Sequence, residues 1–224
     1  MICWREGTRL RLGAKLGALL LGFALAACAG ATDYGVPSAG ISDGRVRQAF
    51  IPLRTRSFAT FYSWGAGFVV TPTIAVSNAH NANLLPRETI LATSRDYDLL
   101  FFRTDGVVVP QFAAPRDGEN VIAYGQGGQG ETREARGTIV ASSQTLTRCQ
   151  QCRPQHAIVF DAPAGPGFSG GPVVDAQSGA VLGVTFGYEH ASDGTVLRMY
   201  AYDMGVVMAE MRALLPPPNP GPNR

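Results

Sequence analysis

The chain has 224 residues, 46% of them hydrophobic and 16% charged, with 27 glycines and 15 prolines. That balance excludes disorder over most of the length and leaves room for one domain of substantial core or two small packed lobes. The formal net charge of +2 comes from the first 27 residues, where Arg5, Arg9, Arg11 and Lys15 face Glu6; beyond them 15 basic and 16 acidic residues leave −1. With no basic stripe interleaved with aromatics, nucleic acid is not an expected partner, and no acidic run points to a polycation.

The N-terminus reads as a targeting segment. A positive region ends at Lys15, and the apolar run Leu16–Ala24 is too short to span a bilayer and closes in small residues, the pattern of a secretory signal over residues 1–27. The run ends Leu25-Ala26-Ala27-Cys28. This resembles the bacterial lipobox, which implies that Cys28 carries lipid, palmitate included, and becomes the mature N-terminus. Plain signal cleavage after Ala29 or Ala31, with Cys28 incidental, is the alternative. Ala29 rather than aspartate follows the cysteine; resemblance to Gram-negative lipoproteins therefore implies an outer-membrane address facing the periplasm. Residues 28–44, rich in Ala, Gly, Ser and Pro, read as a flexible tether, and a folded domain is expected over 45–215.

Short apolar runs separated by turn residues then predict an all-β protein. Strands are expected at Phe58–Trp64, Phe68–Val70 and Ile74–Ser77, with Gly65–Gly67 and Thr71–Thr73 as turns. Further strands are expected at Ile90–Ser94, Leu99–Phe102, Val107–Val109, Val121–Tyr124, Gly137–Ala141, His156–Phe160, Val173–Val174, Val181–Phe186 and Val196–Tyr202. The glycine-rich Gly125–Gly130 is not a phosphate cradle, because a strand pattern follows it where a helix would be needed. One helix is expected over 203–215, capped by Asp203 and carrying a core stripe of Met204, Val207, Met208, Met211, Leu214 and Leu215. Pro216–Pro218 stops it, and the tail 216–224 is expected to be disordered. Cys149-Gln150-Gln151-Cys152 in an exported chain reads first as a local disulfide. A redox motif lacks a βαβ setting, and a metal site with His156 lacks a fourth ligand.

The chemistry gathers at Gly167-Phe168-Ser169-Gly170-Gly171-Pro172. A serine on a tight glycine-rich turn between strands can expose its hydroxyl among backbone N–H groups, as a nucleophile beside an oxyanion hole requires; an ordinary turn is the bland alternative. A serine nucleophile needs a base, and the base needs an acid to orient it. Of the three histidines, His156 and His190 each read as solvated polar residues, whereas His80 ends the apolar strand in Ser77-Asn78-Ala79-His80.

These stretches together resemble the chymotrypsin-like serine peptidases, in particular the bacterial branch that includes the periplasmic quality-control proteases. The resemblance lies in Gly65-Ala66-Gly67-Phe68-Val69-Val70, Val76-Ser77-Asn78-Ala79-His80, Asp98-Leu99-Leu100-Phe101-Phe102 and Gly167–Pro172, in the family's order, and covers about residues 58–203. It implies two packed six-stranded β-barrels, about 45–115 and 116–202, with a C-terminal helix. It implies Ser169 as nucleophile, His80 as general base, Asp98 as its orienting acid, and the amides of Gly167 and Ser169 as the oxyanion hole. Asp96 is the rival acid, disfavoured because Asp98 stands directly before the apolar strand. Thr185, Phe186 and Gly187 would form the edge that pairs with an extended peptide, and Pro163 would sit near the floor of the primary pocket. No cofactor is required.

Three departures qualify the likeness. Only 17 residues lie between His80 and Asp98, which implies a trimmed first barrel. Phe168 replaces the aspartate that pairs with a newly cut N-terminus in digestive members, so no propeptide beyond the signal is expected. No peptide-binding domain is expected after the protease fold. Without an acid near Pro163, a small or medium apolar residue is the expected preference; His190 keeps a glutamate preference open. The reading is a membrane-anchored, exported serine endopeptidase acting on peptide or protein substrates. The alternatives are a catalytically inactive peptide- or partner-binding lipoprotein of the same fold, and a structural envelope lipoprotein of unrelated fold.

Overall fold

The computed structural model describes residues 34–38, 40–41, 43–58, 61–106, 108–147, 155–193 and 195–216. The expected signal, lipidation at Cys28 and Cys149–Cys152 disulfide lie outside the described residues, as does the tail beyond Pro216.

The described chain opens with β1 (Val36–Pro37) and a one-turn helix, α1 (Gly44–Ala49), whose amides at Arg45 and Val46 are capped by Asp43 Oδ1 at 2.7 and 3.0 Å. A first sheet follows: β2 (Phe50–Phe58), β3 (Phe61–Thr71), β4 (Ile74–Ser77), β5 (Ile90–Thr93) and β6 (Leu100–Arg103), paired antiparallel in the order β2-β3-β4-β6-β5. Among the described residues it is an open five-stranded sheet, the trimmed form that the short His80–Asp98 interval implies. The second half holds β7 (Asn120–Gln126), β8 (Thr132–Leu146), β9 (Gln155–Asp161), β10 (Pro172–Asp175), β11 (Val181–His190) and β12 (Val196–Asp203). These run β8-β7-β10-β11-β12-β9, and β9 pairs back onto β8, so six strands close a barrel. Helix α2 (Met204–Leu214) completes the fold. Asp203 Oδ1 caps it on the Val206 amide at 3.1 Å, and Met204, Val207 and Met211 are buried.

Three expectations are corrected. Gly65–Gly67 is not a turn but lies inside β3, where the missing side chains permit close approach. A Cβ on Gly65 would stand 2.7 Å from the Asn81 amide nitrogen, and one on Gly67 would stand 2.8 Å from the Val76 carbonyl. Val108 and Val109 form no strand. Nor does the whole of 28–44 behave as a tether, since β1 pairs with β8 through Val36–Glu134 and Pro37–Arg133.

The sheet and the barrel share a core. Phe68, Val76, Leu99 and Phe101 from the sheet meet Tyr124, Val184 and Tyr202 from the barrel and Val207 from α2. A second cluster around Ile158, Phe160, Phe168 and Leu182 fills the barrel. The serine turn between β9 and β10 is anchored in the second cluster through Phe168, and the 3₁₀ turn at Ala79–Leu84 after β4 packs through Ala82 and Leu84 on a third cluster of Leu53, Ala75, Leu100 and Phe102.

Candidate active site

His80 lies in that 3₁₀ turn, and Asp98 just precedes β6. Because β4 pairs with β6, with Ser77 opposite Leu100, the strand ends carry both residues to the same rim. His80 Nδ1 stands 2.6 Å from Asp98 Oδ2, and the His80 amide donates to Asp98 Oδ1 at 3.0 Å. One carboxylate thus fixes both the ring and the backbone of the histidine. With Asp98 ionised, its Oδ2 selects the tautomer protonated on Nδ1, leaving Nε2 as the basic nitrogen. The carboxylate lies behind the ring: the Asp98 side chain is 16% exposed and the His80 side chain 46%. The shortened interval does not keep the two apart. Asp96, the rival, is exposed.

The acid is braced from three elements. Asn78 Nδ2 donates to the Asp98 carbonyl at 2.8 Å. The Asp98 amide donates to the Tyr202 hydroxyl at 3.2 Å, and that hydroxyl donates to Gln155 Oε1 at 3.1 Å. Gln155 in turn donates through Nε2 to the Asp96 carbonyl. Tyr97 meets Tyr202 edge to face with centroids 5.3 Å apart. Two barrel strands, β9 and β12, therefore hold the loop that carries the acid of the first sheet.

Ser169 is brought to the same rim through its own carbonyl. That oxygen accepts from the Ala66 amide at 2.9 Å and from Asn81 Nδ2 at 3.0 Å. Asn81 follows His80, is only 4% exposed, and also donates to Ser77 Oγ, which donates to the Ala66 carbonyl at 2.7 Å. The turn needs its glycines: Gly167 and Gly170 adopt φ of +93° and +82°. A Cβ on Gly167 would lie 2.0 Å from the Gln126 carbonyl, and one on Gly170 2.1 Å from the Ala66 carbonyl.

Within this turn the amides divide into two sets. Phe168 donates to the Gly165 carbonyl, Gly170 to Thr185 and Gly171 to Phe168. The amides of Gly167 and Ser169 have no acceptor among the described residues. Two donors, one on buried Gly167 and one on half-buried Ser169, stand either side of Phe168 and can stabilise an oxygen on which negative charge develops.

The expected substrate-edge residues adjoin the turn. Thr185 is tied to it in both directions, its amide to the Gly171 carbonyl at 3.0 Å and its carbonyl to the Gly170 amide at 2.8 Å. Phe186 is 8% exposed and stacks on Tyr202 at 4.0 Å. Beside Gly187 a Cβ would meet nothing within 4 Å, so that stretch is open. Pro163 is exposed, and its carbonyl accepts the Gly35 amide at 2.7 Å. The other histidines lie elsewhere: His156 Nδ1 is 3.3 Å from Ser143 Oγ, and His190 Nδ1 2.9 Å from the Ala191 carbonyl. Sequence reading missed Asn81, Tyr202 and Gln155, whose partners Ser169, Asp98 and Asp96 lie 88, 104 and 59 residues away along the chain, beyond any local pattern.

A sequence profile of the trypsin-like peptidase domain matches residues 65–184, more than half of the chain. The protein belongs to that family, and its fold and family are those of a serine protease. Among solved structures it is similar to the active form of the Rv3671c protease from M. tuberculosis, with 22% identity and a TM-score of 0.62 over 80% of this chain and 88% of that one. It is similar to the HtrA-type protease AlgW with tripeptide, with 18% identity and a TM-score of 0.63 over 75% of this chain and 60% of that one. It is also similar to the MamO protease domain from Magnetospirillum magneticum, with 18% identity and a TM-score of 0.57 over 74% and 97% of the two chains. No curated protein matches the sequence.

Proposed function

We propose that the protein is an exported, membrane-anchored serine endopeptidase that cleaves peptide bonds through an acyl-enzyme. Ser169 Oγ attacks the scissile carbonyl while His80 takes its proton. The oxyanion of the tetrahedral intermediate is held by the amides of Gly167 and Ser169. His80 then donates that proton to the leaving amine, and the acyl group remains on Ser169. Water, deprotonated by His80, attacks the ester, and the acid product leaves as the proton returns to Ser169. Asp98 orients the imidazole and stabilises its cationic form throughout.

The observation that carries this reading is the 2.6 Å contact between His80 and Asp98 at the rim that also holds Ser169. Substrate would lie extended along Phe186 and Gly187, with the first residue of the acyl side facing Pro163 and preferring small or medium apolar side chains. Lipid on Cys28 would hold the enzyme at the outer membrane, facing the periplasm, and Cys149–Cys152 would staple the loop between β8 and β9. The chemistry calls for no cofactor. A fluorophosphonate probe is expected to label Ser169, and Ser169→Ala to abolish both labelling and casein cleavage. A well-folded protein that takes no label sinks the enzyme reading and leaves the peptide-binding one.

A further inference from the structure

The loop that carries Gly167 is not self-supporting. Between Ala162 and Phe168 its own main-chain hydrogen bonds are Ala164 to Ala162 and Phe168 to Gly165. It includes Gly165 and Gly167, residues that leave a chain many alternative conformations. On one side the end of β7 clamps it, with the Gln126 amide on the Gly167 carbonyl at 2.9 Å. The other side is covered by the segment Tyr34–Ser38.

That segment is built into the loop at several points. The Gly35 amide donates to the Pro163 carbonyl at 2.7 Å. Gly35 has a φ of +66°, and a Cβ there would stand 2.8 Å from the ring of Phe168. The Tyr34 ring lies against Gly165, where a Cβ would come within 2.6 Å of it, and packs at the edge of the cluster that holds Phe168. The anchor is Arg133 on β8, 7% exposed. Its Nε donates to the Tyr34 carbonyl at 2.7 Å and its Nη2 to the Gly35 carbonyl at 2.8 Å, while Nη1 meets Glu131 Oε1 at 3.0 Å. Ser38 closes the far end, its amide on the Thr132 carbonyl at 2.9 Å and its hydroxyl on Glu134 Oε2 at 2.9 Å.

We propose that Tyr34–Ser38, held by Arg133, is a strap that fixes the Ala162–Phe168 loop and thereby aims the Gly167 amide at the reacting oxygen. This rests on the reading of that amide as an oxyanion donor. Tyr34, Gly35 and Arg133 are positioning residues: they act through the loop and touch no reacting atom. The physical reason is preorganisation. A donor that must be ordered during the reaction contributes less than one already ordered, and misplacement by about 1 Å can cost about 10²-fold in rate. A buried guanidinium that forks onto two main-chain carbonyls holds the strap in one register in a way that a lysine's single ammonium does not.

The test uses the full chain with Tyr34→Ala, Arg133→Gln and Arg133→Lys, and with Val36→Ala as a control that removes an exposed side chain from the same segment. Hydrogen exchange at the amides of Phe168, Gly170 and Gly171 is expected to quicken at least about tenfold in Tyr34→Ala and Arg133→Gln while β11 and β12 keep their protection. Arg133→Lys should fall between these and the parent protein, and Val36→Ala should match the parent. The plateau rate of fluorophosphonate acylation should drop about tenfold or more in the first two, with the midpoint of its pH profile unmoved because His80 and Asp98 are untouched. Unchanged exchange over 163–171 in both Tyr34→Ala and Arg133→Gln overturns the strap, whether or not the enzyme is active. A parent protein that takes no label counts against the proposed function alone, and the exchange measurement still decides the strap.

Discussion

At the scale of single residues, the site depends on geometry held by a few hydrogen bonds. Asp98 places one oxygen on the His80 ring and the other on the His80 amide. An isosteric Asp98→Asn can keep the backbone contact through its carbonyl oxygen, but its NH₂ then faces Nδ1 and favours the wrong tautomer. The expected result is a loss of about 10⁴ in kcat with little change in folding, measured as kcat and as thermal midpoint on one preparation. Asn81→Ala differs in kind. It removes the donor to both Ser77 Oγ and the Ser169 carbonyl and leaves a gap against Gly65. A buried and a partly buried acceptor each lose a partner, so a destabilisation of about 1–3 kcal/mol is expected in urea unfolding, accompanied by slower labelling of Ser169. Labelling at the parent rate in a folded Asn81→Ala protein would show that Ser169 is held without it.

At the scale of elements, the turn Asp175–Gly179 between β10 and β11 shows how one carboxylate sets a local structure. Burial works to raise the pKa of Asp175, but Ser178 Oγ at 2.5 Å, the amides of Gln177 and Ser178, and the Arg116 charge together hold it below the ordinary carboxylate value. A depressed folded pKa means stability that is present above the unfolded value and lost as pH falls through the folded one. Asp175→Asn is therefore expected to be less stable by about 1–2 kcal/mol at neutral pH, the range of charge-assisted hydrogen bonds. The gap to the parent should close as pH drops below about 3.8. A gap that persists at about pH 2 would mean that packing, not charge, sets the effect. This turn was legible in the sequence, as were α2, its Asp203 cap and most strands of the barrel, because their signals are local: alternation, glycine, a capping side chain. What escaped was set by distant partners. Gly65–Gly67 looks like a turn in sequence and is a strand because Asn81 and the Val76 carbonyl press against it. Tyr34–Ser38 has tether composition, yet it docks on residues about 100 positions away, through Arg133 and Glu134.

At the scale of the whole folded domain, the candidate site is divided. His80 and Asp98 sit at the end of the open sheet, while Ser169, Gly167 and the Thr185–Gly187 edge belong to the barrel. The motifs and their order are legible because each is contiguous; the way the two halves are joined is not, because a core position shows only that a residue is apolar and not which residue it meets. The join is the shared cluster in which Phe101, on β6 three residues past Asp98, packs without solvent exposure among side chains from both halves. Phe101→Ala should cost about 3–5 kcal/mol through lost burial and the cavity left behind, a large share of the roughly 5–15 kcal/mol that keeps a domain folded. In urea the midpoint should fall while the slope is unchanged, because one cooperative unit is being weakened. The rate of Ser169 labelling, followed through the same transition, should track the loss of tertiary signal point for point. Two separated transitions, one for labelling and one for the barrel, would show instead that the sheet and the barrel unfold independently and that the site is assembled from two units rather than one.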